Sequence, residues 1–344
     1  HQGSSHQMAA PKTQYRPRSR FSMMDSDTPL DLVILGSGMA GLAAARQASA
    51  NGLRLAIVDK GRRIGGRVST RRADGFTFNH GAQFLTARQN GFTTACDKAV
   101  AAGALQPWQV AGRDAYCGVP TMRDFPDFLG GGLDIRQGVE ITGIEQHDGL
   151  VALHDSDGGT VTAHQAVITA PAPQAMRLLA TVAPGLSAAT ASAAYAPCWT
   201  ATFGFDSDMV PDTMPPIQNR TGPVGWAMWE CHRPGQAAIA GGALTVQAAP
   251  DWSADNLEED SALVAKAILA AWQVASGLSM DAPAYQAAHR WRYARVTNPA
   301  DAGISPLSDV GRIAVAGDWL AGARVEDAYM SGLRAVTALA DAAG

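Results

Sequence analysis

Gly36, Gly38 and Gly41 fall in the spacing G-x-G-x-x-G, and an acidic residue, Asp59, closes the next apolar run with Lys60 beside it. Such a set can bind the pyrophosphate and ribose of a dinucleotide. Gly36 makes the tight turn, Gly38 lets the backbone approach the pyrophosphate, and Gly41 lets a helix pack close to a strand. Met39 and Ala40 open that helix, whose free N–H groups and positive dipole face phosphate. Asp59 stands where a carboxylate accepts hydrogen bonds from a ribose diol and would repel a 2′-phosphate. Glycine-rich loops also close ordinary turns, so the flanking elements decide the meaning of the motif. Leu32 to Leu35 is an apolar run of buried-strand length, a segment rich in Ala and Leu follows with helical spacing, and Leu53 to Val58 is a second apolar run. Strand, glycine turn, helix, strand, acid is the order of a βαβ dinucleotide unit.

Just past the second strand, residues 62–70 read RRIGGRVST, an R-x-G-G-R-x-x-[ST] pattern. Gly65 and Gly66 let the chain pass close to a bound cofactor, and Arg67 offers a planar charged fork to phosphate or to a flavin edge. The alternative is a basic solvated loop. The segment is closely similar to one carried by FAD-binding amine oxidases and their relatives, whereas plain NAD dehydrogenases have no use for it. The expected cofactor is FAD.

The C-terminal part repeats the logic. IAVAGD, residues 313–318, is an apolar strand ending on Gly317 and Asp318, and ARVEDAYMSGLRAV follows as a helix through Val325 and Ala328. Asp318 can hold a ribityl hydroxyl, and N–H groups near Val325 can face the flavin O2 and N1, where negative charge grows on reduction. HRWRYARV, residues 289–296, places His289, Trp291 and Tyr293 on one face of a strand and Arg290 and Arg292 on the other. His80 to Gln83 forms a turn after a short strand carrying Phe76 and Phe78. A histidine there is either a hydrogen-bonded structural residue or a catalytic one.

With 344 residues, 47% apolar and 17% charged, the chain has enough core for two lobes, and its net charge of −4 argues against a nucleic-acid partner. Residues 1–27 read as a tag remnant followed by a disordered leader, and no window reaches the length of a membrane span. Cys96, Cys117, Cys198 and Cys231 are scattered without a C-x-x-C, which suits buried thiols in a reducing cytoplasm better than disulfides or a metal site.

Helices are expected from Phe92 to Ala102, around Phe125 to Leu129 ending at the triple glycine 130–132, and over 253–275. In the last of these Asp255 would be the cap, Glu258 would lie three residues on, and Leu257, Val264, Ile268 and Trp272 would form the buried stripe. Residues 133–170 read as a β-meander with turns at HDG and DSDGG. The fold class is α/β: a Rossmann-like FAD-binding domain of the hydroxylase or amine-oxidase type from 28–90, 120–175 and 288–344, with an inserted α+β substrate domain from 91–119 and 176–287.

Residues 31–72, GAQFLTAR (81–88), TAPAPQ (169–174), HRWRYARV and GDWLAGARVEDAYMSG (317–332) together resemble the renalase family, the bacterial members more than the animal ones. The resemblance implies noncovalent FAD, with backbone contact to adenine near Val139 and a site that includes Ala170. It implies oxidation of dihydro isomers of NAD(P)H, reduced at the 2 or 6 position, with molecular oxygen as acceptor and hydrogen peroxide as product. Residues 187–287 match least. His80, Gln83, Trp291 and Arg324 are the candidate catalytic residues, Gln83, Trp291 and Arg324 also facing the cofactor. In monoamine oxidases the position aligned with Arg324 is aromatic, one wall of a cage around the amine, and a guanidinium there would repel an ammonium substrate. Its alternative is to turn away toward Glu326, Asp327 or a phosphate. A single dinucleotide fingerprint leaves no second Rossmann lobe for a nicotinamide donor, the missing C-x-x-C excludes disulfide reduction, and no D-G-x-x-S-x-V-R segment of aromatic hydroxylases is present. Two other readings stand beside the first: an oxidase or dehydrogenase of another small donor such as an amine, and a non-catalytic binding protein on the same fold.

Overall fold

The computed structural model describes residues 28–236, 241–300 and 306–343; the expected tag remnant and leader at 1–27 lies outside them. The chain opens with β1 (Leu30–Leu35), α1 (Met39–Ala50), β2 (Leu55–Asp59), β3 (Arg71–Ala73), β4 (Phe76–Phe78), α2 (Asn90–Ala101), β5 (Leu105–Val110) and β6 (Arg113–Gly118). It continues through α3 (Asp124–Gly130), β7 (Ile135–Gln137), β8 (Ile141–His147), β9 (Leu150–Asp155), β10 (Thr160–Ile168), α4 (Ala172–Leu179), α5 (Pro184–Thr190) and β11 (Ala194–Phe205). The last part holds β12 (Ile217–Gln218), β13 (Trp226–Trp229), β14 (Gly242–Gln247), α6 (Pro250–Asp255), α7 (Ser261–Ser276), β15 (Tyr285–Asn298), β16 (Ile313–Val315) and α8 (Val325–Ala343).

One sheet runs β7-β2-β1-β10-β9-β8. β2, β1 and β10 are parallel; β10 then divides its far edge, pairing antiparallel with β9 over Thr160–Ala163 and parallel with β16 over Ala166–Ile168. The continuous apolar run of β1 follows from burial on both faces. Leu32 and Ile34 enter the core formed with α1, α2 and α8, while Val33 and Leu35 enter the core under the meander and α4. Each such fully buried aliphatic side chain contributes roughly 1.5–3 kcal/mol. The expected meander is β8 to β10, and its first turn is the two-residue Asp148-Gly149 loop with both φ positive, at 49° and 78°.

The second sheet, β12-β13-β14-β11-β15, is antiparallel. Its two faces differ. Trp199, Ala201, Phe203, Leu244 and Val246 pack on Val264, Ile268 and Trp272 of α7. The alternate residues Thr200, Thr202 and Thr245 are polar and buried on the other side.

Three expectations meet a different arrangement. The single helix over 253–275 is two, α6 and α7, and the cap of α7 is Asp260, which accepts from Ala262 N at 2.8 Å and Leu263 N at 3.2 Å. Asp255 ends a helix instead of starting one, and Glu258, in the turn between the two helices, pairs with Arg290 (3.0 Å) and Arg292 (2.6 Å). The expected domain boundary at 288 falls inside β15, whose partner is β11. Segment 91–119 shares its core with α1 and α8 through Phe92, Ala95, Cys96, Ala99 and Leu105.

Candidate active site

A cavity of about 1710 Å³ is lined from both sheets. That exceeds the 300–1,000 Å³ or so of an ordinary ligand pocket, room for a dinucleotide and a second molecule. Eighteen predicted residues reach it: Gly36, Gly38, Met39, Ala40, Asp59, Lys60, Gly65, Gly66, Arg67, Gln83, Val139, Ala170, Trp291, Gly317, Asp318, Arg324, Val325 and Ala328. Gly41 and His80 do not.

Gly41 stands behind the site because of packing. A Cβ on it would lie 1.9 Å from the Gly36 carbonyl oxygen, and Gly36 itself has φ +106°. Gly38 is the opposite case: a Cβ there meets nothing within 4 Å, so its face is left open to the cavity. Gly38 caps α1 with no side-chain hydrogen bond and no acid in the first turn, leaving the N–H groups of that turn for an anion. Asp59 is held by Ser37 N (2.5 Å), Ser37 Oγ (2.7 Å) and Gly61 N (2.6 Å), which fixes its carboxylate at the end of β2. These features fit a dinucleotide cofactor: an open glycine at a bare helix start, and a fixed acid one strand away.

Across the cavity, Arg67 donates to Asp318 Oδ1 at 2.7 Å and to the Tyr293 and Ala294 carbonyls at 3.2 and 3.1 Å. One guanidinium thus ties the double-glycine loop to β15 and to the end of β16. Its fork faces protein, so its part in the site is to hold Asp318 in place. Trp291 lies beside His289 with ring centroids 4.4 Å apart, and its indole N–H donates to the His80 carbonyl at 3.1 Å. Burial, then the charges of His289, Arg71 and Arg123, push the His80 imidazole down to about 3, and burial with Arg71 also lowers His289. Both rings are neutral near pH 7 and neither is a general acid there.

Gln83 touches the cavity, yet its amide is committed to protein. Nε2 donates to the Asn79 carbonyl (2.7 Å) and the Gly81 carbonyl (2.9 Å), and Oε1 accepts from Arg233. Behind it, Glu230 and Arg233 form an ion pair at 2.7 Å with both side chains fully buried. Asn79 and Thr245 complete the shell of Glu230. Arg324 is 45% exposed; its backbone N–H donates to Asp327 Oδ2 at 3.0 Å, and its guanidinium stands 4.0 Å from Glu326 Oε2. Glu326 is itself occupied at Oε1 by the N–H groups of Arg88 and Gln89, both at 2.6 Å, at the start of α2.

Several lining residues carry no local signal. Arg113, Gln218, Trp226 and Gln247 come from four strands and meet only in space. Phe84 and Arg88 lie inside the GAQFLTAR segment, one and five residues from Gln83. In a chain of net charge −4, eight arginines and one lysine line the cavity against four carboxylates.

A Rossmann-type sheet joined to an antiparallel sheet over one large cationic cavity defines a dinucleotide-binding oxidoreductase architecture. Residues 34–97 match the family described as NAD(P)-binding Rossmann-like domain, and residues 98–340 match flavin containing amine oxidoreductase. The chain belongs to the flavin-containing amine oxidoreductase family. It is an FAD-dependent oxidoreductase. A provisionally assigned protoporphyrinogen oxidase of Exiguobacterium sp. 255-15 has the same fold, with TM-score 0.67 at 16% identity over 89% of this chain and 98% of that one. Cyclohexylamine oxidase of Brevibacterium oxydans IH-35A gives TM-score 0.67 at 13% identity over 91% and 99%. Among curated relatives, 4,4'-diapophytoene desaturase of Staphylococcus haemolyticus is 40% identical over 52 residues, 15% of this chain and only 10% of that protein's length. Among the described residues, no helix is long and apolar enough to cross a membrane.

Proposed function

We propose that the protein oxidises 2- or 6-dihydro isomers of NAD(P)H to NAD(P)⁺, as the resemblance to bacterial renalases implies, with FAD held noncovalently. When bound, FAD supplies the hydride acceptor at N5 and passes the electrons to oxygen, giving hydrogen peroxide. The first sheet, with Gly36, Gly38, Met39, Ala40, Asp59 and the end of β16, holds the cofactor; the second sheet shapes the donor's space. Asp318, locked by Arg67, is the fixed acceptor for a ribityl hydroxyl. The activated C–H of such a donor needs positioning more than a base, which suits a site whose two nearby histidines are neutral.

The observation that carries the reading is Arg324. It lines the cavity, and among the described residues its nearest carboxylate oxygen is 4.0 Å away, a charge incompletely neutralised by its surroundings. Such a charge favours an electron-rich, phosphate-bearing donor and disfavours an ammonium. The family itself supports a second reading, oxidation of a small amine, and the fold shared with cyclohexylamine oxidase is compatible with it. Anaerobic mixing of the holoprotein with the dihydro isomers, NADH, NADPH and a panel of primary amines separates the two. Flavin bleaching by the isomers well ahead of NADH, and hydrogen peroxide on admitting air, is expected. Fast bleaching by a primary amine, or equal bleaching by NADH, overturns the proposal.

A further inference from the structure

Among the described residues, four of the nine cations lining the cavity have a carboxylate within 4.0 Å: Arg67 with Asp318, Arg290 and Arg292 with Glu258, and Arg324 with Glu326. Arg113 belongs to the other group, and within it is the one held over an aromatic ring. It begins β6 on the hairpin that closes the cavity from outside the cofactor-binding sheet, and among the described residues no carboxylate lies within 4.0 Å of its guanidinium. The contacts it does make are weak ones: the Ala111 carbonyl at 3.3 Å and Gln218 Oε1 at 3.5 Å. The acid next to it, Asp114, is engaged by the Gln109 amide across the hairpin.

The side chain is nonetheless placed. Its Cζ sits 5.6 Å over the Phe84 ring, and Phe84 leans on Trp226 at 5.5 Å. Both aromatics line the cavity and both belong to a small separate core with Val110, Ala115 and Met228. An arginine lying on an aromatic face keeps its N–H fork in one plane, with little side-chain entropy left to lose when an anion arrives. The fork matches phosphate or carboxylate with two parallel hydrogen bonds.

We propose that Arg113 is a specificity residue for the electron donor, binding a phosphate of the donor while the rest of that molecule lies along the Phe84–Trp226 wall. The proposal deepens the reading of the donor as a dihydronicotinamide nucleotide and rests on it. Arg113 acts on binding and not on hydride transfer, because nothing connects it to Trp291, Arg324 or the double-glycine loop.

The test uses flavin-loaded protein, wild type, Arg113→Gln and Arg113→Lys, mixed anaerobically with 2- or 6-dihydro-NAD and, separately, with the matching dihydronicotinamide riboside, which has no phosphate. Titration with NAD⁺, followed by the flavin absorbance, gives a readout independent of turnover. For the nucleotide, Arg113→Gln should raise the half-saturating concentration and the NAD⁺ dissociation constant about tenfold or more, at an unchanged limiting rate. Arg113→Lys should recover part of that loss. For the riboside, wild type and Arg113→Gln should be alike. Equal half-saturation by the nucleotide in wild type and Arg113→Gln overturns the role of Arg113 and leaves the donor reading standing. A matching loss with the riboside overturns it as well, since the residue would then be holding the fold of the hairpin. If wild type is reduced by neither compound, the donor reading falls and takes the proposal with it.

Discussion

The two ends of the cavity are built by different means. At the cofactor end the contacts are backbone: an open glycine at the start of α1, free N–H groups, and one carboxylate fixed by its own neighbours Ser37 and Gly61. At the other end the wall is made of side chains brought from far apart, with Asn79, Gln83, Glu230, Arg233 and Thr245 joined in one buried network. A backbone site tolerates change in side chains but not in glycine. A side-chain network has the reverse sensitivity, because each member left without its partner is a buried unpaired group.

The largest effects should come from the glycines, and two of them divide fold from binding. Gly41→Val drives side-chain atoms into the Gly36 carbonyl and should give little folded protein. Gly38→Val meets only open space, so the apoprotein should keep the melting temperature of wild-type apoprotein while losing its flavin. Full flavin occupancy in Gly38→Val would remove the pyrophosphate from this turn.

Next in size is the network. Glu230→Ala leaves Arg233 charged and unpaired in a fully buried site and should cost about 3–5 kcal/mol, read from the urea midpoint. A cost below about 1 kcal/mol, the level of a surface pair, would mean that water replaces the lost carboxylate and that the contrast between the two ends is weaker than drawn.

His80 lies at the seam and offers a pH test. Its folded pKa of about 3 is below the ordinary 6.5, so the folded state binds fewer protons. The stability this protects is complete above pH 6.5 and is lost as pH falls from there toward 3, with a slope approaching about 1.4 kcal/mol per pH unit. His289 is shifted in the same direction and adds to the slope. Unfolding midpoints measured from pH 7 to 4 should fall less steeply in His80→Asn than in wild type; parallel curves would assign the acid sensitivity elsewhere.

The smallest expected change is Arg324→Tyr, which restores an aromatic at the mouth of the cofactor end. Flavin should stay bound, and reduction by the true donor should slow by about tenfold, worth about 1.4 kcal/mol in the barrier. Release of FAD in this variant would place Arg324 in cofactor binding and not in donor selection.

The dinucleotide half was legible residue by residue. Strand, glycine turn, helix and acid are contiguous between Leu32 and Asp59, and each glycine acts on atoms a few residues away, so spacing alone specifies the geometry. Eighteen of the residues expected at the site line the cavity; of the two that do not, Gly41 packs against the Gly36 carbonyl and His80 accepts from the Trp291 indole through its own carbonyl. Local pattern also found both faces of the strand carrying His289 and Trp291, because side chains alternate along any strand. Tertiary structure decided the rest. It turned the Arg67 fork toward Asp318, committed the Gln83 amide to Asn79 and Arg233, and left Glu258 between two helices, paired with Arg290 and Arg292. It alone brought Arg113 onto Phe84 beside Trp226. Partners so far apart in the chain leave no periodicity to read; their choice is made only when the sheets pack and each buried polar group must find its complement.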